Sequence, residues 1–385
     1  MPTPSVDVVI PAYNSAATIE AAVGSIQAQT IRDLRIIVVN DGCTDETSSI
    51  IARLAATDPR IVLLEQPNSG IVDALNVGLA AGRAEFVARF DADDLSDPDR
   101  FEKQLAYLRG NPDCSAVSGA IRHVDQDGQP LGGTYNFPST ALSDVEHYPQ
   151  REPYLSHPFL MVRRAAIEAV GGYRHVFLAE DSDLYWRLQE LGRLHNMPDV
   201  LGAYRVHARS ITGSSIVNGR ISAVNSQRAG ISAMRRRAGK PDLAFPKSAL
   251  PEYRKATTLE GIVEIGSRDL DTGESRRLAV STCAKLLELT GHRPYELEAE
   301  DCTQIAETLL PALETMSAAS RRYCRRLLSG TATRLASKGR ITAALSLVPV
   351  QLYLMVMANV ILRSALPTSF RQAVRRVAGR DGPMK

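Results

Sequence analysis

The chain has 385 residues, 44% of them hydrophobic and 23% charged, which is enough apolar material for two domains and excludes wholesale disorder. Its net charge of +2 selects no partner, and its five cysteines are widely spaced with no CxxC pair, which argues against a zinc site or a disulfide framework. The opening Met-Pro-Thr-Pro-Ser-Val-Asp has neither the basic region nor the apolar run of a signal peptide, so a reducing cytoplasm is the expected compartment.

The first half alternates short apolar runs with helical patterns. Val6 to Ile10 reads as a buried strand ending at Pro11. Ile19, Ala22, Val23 and Ile26 then recur at i, i+3, i+4 and i+7, the mark of an amphipathic helix. Leu34 to Val39 is a second strand, followed by Asn40-Asp41-Gly42 and a helix with Ile50, Ile51 and Leu54 inward. Ile61 to Leu64 is a third strand, Ile71 to Ala81 a third helix and Glu85 to Phe90 a fourth strand that runs into Asp91. This alternation predicts an α/β fold, a mostly parallel sheet with helices on both faces. Ligands of such sheets bind outside the carboxyl ends of the strands, and here those ends carry Tyr13-Asn14, Asn40-Asp41 and Asp91 to Asp94.

Further on, Val124 to Leu131 predicts a hairpin with its turn at Asp127-Gly128. Gly132 to Pro158 has weak periodicity and reads as a long loop. Asp183 to Leu191 reads as a helix and Val200 to Val206 as a strand. After Ile211 only helical patterns remain: 216–237, 253–268, 275–289, 313–328 and 341–362. The expected organisation is a catalytic domain over 1–212, a connecting helix over 213–240 and a helical region over 241–385.

Three carboxylates in four residues, Asp91, Asp93 and Asp94, repel one another unless a cation or hydrogen-bond donors sit between them. Hard oxygen ligands suit Mg²⁺ or Mn²⁺ held jointly with substrate phosphates. The same acids could instead cap a helix begun by Ser96-Asp97-Pro98. Asp41 could accept from the imide N–H of a uracil, or simply belong to a turn and helix cap. Glu180-Asp181-Ser182-Asp183 opens a predicted helix, where Asp181 is a candidate general base and Asp183 faces elsewhere. His157 and His207 are each more simply structural than ligating, Trp186 is a core candidate, and Arg89 on a buried strand needs an anionic partner.

In this order the motifs resemble the family 2 glycosyltransferases of GT-A fold. The resemblance rests on Val9-Ile10-Pro11-Ala12-Tyr13-Asn14, Asn40-Asp41-Gly42-Cys43-Thr44-Asp45, Asn68-Ser69-Gly70, the Asp-x-Asp of Asp91-Ala92-Asp93, Gly171-Gly172-Tyr173 before Glu180-Asp181, and Tyr204-Arg205-Val206-His207 before Ser210 and Thr212. Cys43 stands where serine is usual and Asn40 where aspartate is common. The resemblance implies a nucleotide-diphosphate donor, a UDP-sugar first, lined by Pro11, Tyr13, Asn14, Asp41, Asn68, Arg89, Asp91 and Ala92. It implies Mn²⁺ or Mg²⁺ on Asp93 with His207, and Asp181 as base of an inverting transfer to a glycan or lipid-linked hydroxyl, with Glu180 and His157 as further acceptor-side candidates.

The 22 uncharged residues from Ile341 to Leu362 would form a helix of about 33 Å, near bilayer thickness. Pro349 interrupts them, and Gln351, Asn359 and Arg363 make a polar stripe. A core helix, a membrane span and a peripheral contact with the inner face of a membrane all stay open, the last helped by the basic faces Arg321/Arg325 and Arg322/Arg326 and by six basic residues against Asp381 after Leu362. No nucleic-acid recognition motif accompanies those arginines, which argues against nucleic acid. No GxGxxG follows the first strand, which argues against a dinucleotide enzyme. A non-catalytic nucleotide-sugar or membrane-surface scaffold would not require both Asp93 and Asp181.

Overall fold

The computed structural model describes residues 4–206 and 215–348, together with Tyr353. His207, Ser210 and Thr212, the tail after Leu362 and nearly all of 349–362 lie outside the described residues. The chain forms two compact units. One runs to Leu142 and takes in Glu152–His175 and the stretch from Glu180; the other holds Ser143–Arg151, Val176–Ala179 and the helices that follow.

The first unit is built on β1 (Val6–Ala12), α1 (Ile19–Gln27), β2 (Leu34–Asp41), α2 (Thr47–Thr57), β3 (Ile61–Gln66), α3 (Ile71–Ala81) and β4 (Phe86–Arg89). It continues through β5 (Leu95–Ser96), α4 (Arg100–Gly110), β6 (Cys114–Val124), β7 (Pro130–Tyr135), β8 (Met161–Arg163), α5 (Arg164–Ala169), α6 (Glu180–Gln189) and β9 (Arg193–Arg205). The nine strands form one mixed sheet of order β3-β2-β1-β4-β8-β6-β9-β5, with β7 paired to β6. Strands β3, β2, β1 and β4 are parallel, as is β6 with β9; β8, β5 and β7 run antiparallel to their partners.

Strand β1 is largely apolar on both faces, and its side chains alternate between two cores. Val6, Val8 and Ile10 join one core with Ile19, Val23 and Ile26 of α1 and Phe101 and Leu105 of α4. Val9 turns the other way, toward Leu75 of α3, Ile167 of α5 and Leu184 and Leu188 of α6. Helices therefore cover both faces. Full burial of each such aliphatic side chain is worth roughly 1.5–3 kcal/mol. Gly78 lets α3 press onto β1, since a Cβ there would come within 2.4 Å of Val9. At the far ends of the strands, buried Asp7 accepts from Arg35 Nε (2.9 Å), Arg164 Nη2 (2.7 Å) and the amides of Arg83 and Ala84.

Several elements differ from the sequence expectation. The loop expected over 132–158 begins as strand β7, which pairs Tyr135 with Ile121. Helix α4 starts only at Arg100, so Asp91 to Asp94 cap no helix; Asp94 instead accepts from the backbone of β9.

The second unit contains α7 (Ile216–Arg237), α8 (Leu250–Lys255), α9 (Leu259–Ser267), α10 (Thr272–Thr290), α11 (Ala299–Ala312), α12 (Ala318–Ser337) and α13 (Ile341–Ser346). The expected helix 253–268 is two helices, because Thr258 caps α9 by accepting from Gly261 N. The expected helix 313–328 spans the break between α11 and α12, where Ser317 caps α12. Helix α7 is buried along most of its length, polar positions included. Its Arg220 pairs with Asp301 at 2.8 Å, and the side chain of Gln227 accepts from Gln150 N at 2.8 Å. Among the described residues no helix is long and apolar enough to cross a membrane.

Candidate active site

The carboxyl ends of β1, β2 and β4 bring Tyr13-Asn14, Asp41 and Asp91 to Asp94 to one edge of the sheet. Parallel pairing fixes this, since Ala12 aligns with Asn40 and Val9 with Arg89. Tyr13 is 52% exposed there. Asn14 adopts a left-handed backbone (φ 48°), and its Oδ1 accepts from Thr44 N at 2.8 Å. Cys43 does a serine's work at this turn: its Sγ accepts from Asn14 N and donates to the carbonyl of Ala12.

Asp41 is buried, and its oxygens are well occupied. Oδ1 accepts from Gln66 Nε2 (2.6 Å) and Ser69 N (2.8 Å), and Oδ2 from Gly70 N (2.9 Å). It thus ties down the loop that presents exposed Asn68. Gly42 allows that loop to approach, because its φ is +70° and a Cβ there would lie 2.6 Å from Asn68 N.

Asp91, Asp93 and Asp94 each bring a carboxylate oxygen within 4.8 Å of the others. Buried Arg89 places Nη1 2.5 Å from Asp91 Oδ2, which supplies the anionic partner that its strand position requires. Asp94 Oδ1 accepts from Arg205 N at 2.8 Å, whereas the buried Oδ2 has no hydrogen-bond partner among the described residues. Arg205 also clamps the turn through Asp93 O (2.8 Å) and Gln126 O (2.6 Å). Ala92 is buried, and its carbonyl accepts from Thr18 Oγ1 at 3.0 Å. Burial, then repulsion from Asp91 and Asp93, holds Asp94 well above the usual carboxylate range. Burial also raises Asp91, against the pull of Arg89. An all-oxygen donor set, with three carboxylates within 4.8 Å of one another, fits a hard divalent cation.

A second carboxylate group begins α6. Burial and the neighbouring Asp181 raise Glu180, and burial and the charge of Glu152 raise Asp181. Asp181 Oδ1 accepts from Ser182 N at 2.8 Å, and Ser182 Oγ donates to Glu152. Asp183 is turned away and locked between Arg174 and Arg187, as helical spacing requires. Arg89 is an electrostatic neighbour of Asp91, Glu180 and Asp181 alike, so it joins the two acidic groups. His157 is buried, with Nε2 2.9 Å from the hydroxyl of Tyr173, and burial holds it well below the ordinary histidine range. It is a neutral ring inside an aromatic cluster. Trp186 is buried in α6.

Glu152 and the clamping role of Arg205 were not legible in advance. Glu152 lies in the aperiodic stretch after β7, where only the functional bias of long loops pointed. Arg205 entered only within the Tyr204-Arg205-Val206-His207 resemblance, with no role of its own.

Residues 7–171 match the family model Glycosyl transferase family 2. The chain is 29% identical over 195 residues to the chondroitin synthase of Pasteurella multocida, a match covering 50% of this chain and 20% of that protein. The chain therefore spans about a fifth of that relative's length. It is 30% identical over 223 residues to the amylovoran biosynthesis glycosyltransferase AmsE of Erwinia amylovora, covering 55% of this chain and 78% of that one. In fold it is similar to the mannosyltransferase PcManGT of Pyrobaculum calidifontis, solved with GDP-Man and Mn²⁺ (TM-score 0.50, 19% identity, 94% of this chain and 88% of that one).

Proposed function

The chain belongs to the family 2 glycosyltransferases, with a GT-A sheet, and from this we propose a metal-dependent, inverting transfer of a sugar from a nucleotide diphosphate to a hydroxyl of a glycan or lipid-linked glycan. A UDP-sugar is the first donor to test. The observation that carries the reading is the pair of acidic groups joined through Arg89: three carboxylates within 4.8 Å of one another, and a raised carboxylate at the start of α6.

In this reading Tyr13, Pro11, Asn14 and Asn68 line the nucleoside. Asp41 acts chiefly through the loop it ties, and a base N–H would be a further donor to its carboxylate. Asp93 and Asp91 would hold the divalent ion, Asp91 and Ala92 would lie beside the ribose, and Asp94 would complete the set of three carboxylates. When bound, the ion neutralises charge building on the departing diphosphate. Arg89 orients Asp91.

Asp181 takes the acceptor hydroxyl's proton as that oxygen attacks the anomeric carbon, on the face opposite the diphosphate. One C–O bond forms as the sugar–phosphate bond breaks, and the proton ends on Asp181. Its raised proton affinity suits a base working near neutral pH. No covalent enzyme intermediate is needed.

Thermal shift and donor turnover with UDP- and GDP-sugars, with Mn²⁺, Mg²⁺ or EDTA, test the reading. A UDP-sugar should raise the melting temperature only when a divalent ion is present. Full turnover in EDTA would exclude the metal role. Donor binding with no transfer or hydrolysis under any condition would favour a scaffold instead.

A further inference from the structure

We infer that the half-buried rings of Tyr135, Phe137 and Tyr154 form a subsite for a pyranose ring of the acceptor, leading to Asp181. The inference rests on the assignment of Asp181 as base.

The rings are in continuous contact. Tyr135 meets Phe137 edge to face with centroids 5.0 Å apart, Phe137 meets Tyr154 at 5.4 Å, and Tyr154 meets Tyr185 at 6.2 Å. The run starts where β7 ends and finishes on α6, the helix whose first turn carries Asp181. Tyr154 lies two residues after Glu152, and its amide donates to the Glu152 carbonyl at 2.9 Å. Glu152 is the charge that bears most on Asp181. The aromatic run and the acid group are therefore one neighbourhood.

The run is held rigidly. Asn196 Nδ2 donates to the carbonyls of both Pro138 (2.9 Å) and Tyr154 (2.8 Å), so one amide fixes the backbone behind Phe137 and Tyr154 together. Tyr185, wholly buried, has a hydroxyl with no hydrogen-bond partner among the described residues, and Asp181 and Tyr154 are its electrostatic neighbours.

A sugar presents an apolar C–H face and a rim of hydroxyls. Rigid aromatic faces with carboxylates at one end match that pattern, with little entropy to lose on binding. Rings serving only as outer core packing need no such adjacency to the acids.

The test uses the full chain with UDP and Mn²⁺, probed by saturation-transfer NMR and titration with methyl glycosides of glucose, galactose and N-acetylglucosamine. At least one glycoside should receive saturation, most strongly on its axial C–H face. Phe137→Leu keeps apolar volume but removes the ring, and should weaken glycoside binding by about five- to ten-fold while UDP affinity stays. Phe137→Tyr should retain glycoside binding. Equal binding by Phe137→Leu and the parent, a parallel loss of UDP affinity, or no saturation of any glycoside would each overturn the subsite. Normal transfer by Asp181→Asn would sink the base assignment separately, without altering glycoside binding.

Discussion

Asp181 and Asp183 are two positions apart on one helix, and they have opposite fates. Helical geometry already separates them in the sequence, because such neighbours do not share a face. What the sequence could not reveal is the setting of each. Asp183 is neutralised by Arg174 and Arg187, whereas Asp181 is surrounded by burial and the charge of Glu152, which raise its proton affinity to about pH 6. A base is active only when deprotonated. The pH profile of kcat/KM should therefore carry an acid limb near pH 6, above the ordinary aspartate range, with a plateau beyond it. Asp181→Asn should lower kcat by about 10²–10⁴-fold and leave nucleotide affinity within a factor of two or so. A profile flat from pH 4.5 to 8, or wild-type kcat in the variant, would count against the assignment.

The elements that were legible are those whose buried faces are apolar. Helix α1 buries Ile19, Ala22, Val23 and Ile26, the four residues of its sequence pattern. Helix α4 was legible only as a helix that Ser96-Asp97-Pro98 could begin, because two of its buried positions are Arg100 and Gln104, which thin the apolar period. Arg100 is kept inside by its bonds to Gln104 Oε1 (3.0 Å) and the Arg89 carbonyl (2.9 Å), and by the rings of Phe90, Phe101 and Phe159. Turn chemistry was legible at Asp127-Gly128, where Gly128 takes φ +81° between β6 and β7. The turn after β2 is where element geometry bears most on the site. Gly42→Ala puts a Cβ against the backbone of Asn68 in a left-handed conformation, which costs on the order of 1–3 kcal/mol and pushes the Asn68 loop outward. We expect a lower denaturation midpoint and weaker nucleotide binding together. An unchanged midpoint with unchanged nucleotide affinity would show that the loop does not depend on this contact.

At the scale of the molecule, the strand–helix alternation announced the sheet, since each βα unit is local in sequence. The composition of the second unit was harder to read, because Ser143–Arg151 and Val176–Ala179 come from the first half of the chain. Their anchors are polar and distant in sequence, such as Arg277 Nη2 donating to the Val145 carbonyl at 2.6 Å and Asn225 Nδ2 to that of Phe177 at 2.9 Å. No periodicity encodes such contacts. The acidic edge of the sheet also has a global consequence. Asp91, Asp94, Glu180 and Asp181 all bind protons more tightly folded than unfolded. Between the ordinary carboxylate range and about pH 7, where Glu180 is pushed, these four therefore hold extra protons in the native state and their contribution to stability falls as pH rises, while the histidines that burial holds low, His123, His147, His157, His195 and His292, contribute in the opposite sense. Carboxylates held low, Asp58 by Arg60 among them, act oppositely and lose their contribution only in stronger acid. In EDTA the parent's melting temperature should thus fall further, or rise less, from pH 5 to 7.5 than that of Glu180→Gln, at roughly 2–4 °C per kcal/mol for a unit of this size. Mn²⁺ should raise it, and by more at pH 7.5 than at pH 5, because protons and the ion compete for the same oxygens. An equal pH dependence of the melting temperature in Glu180→Gln and the parent, or a Mn²⁺ shift independent of pH, would mean that the acidic edge does not contribute to the pH response of the fold.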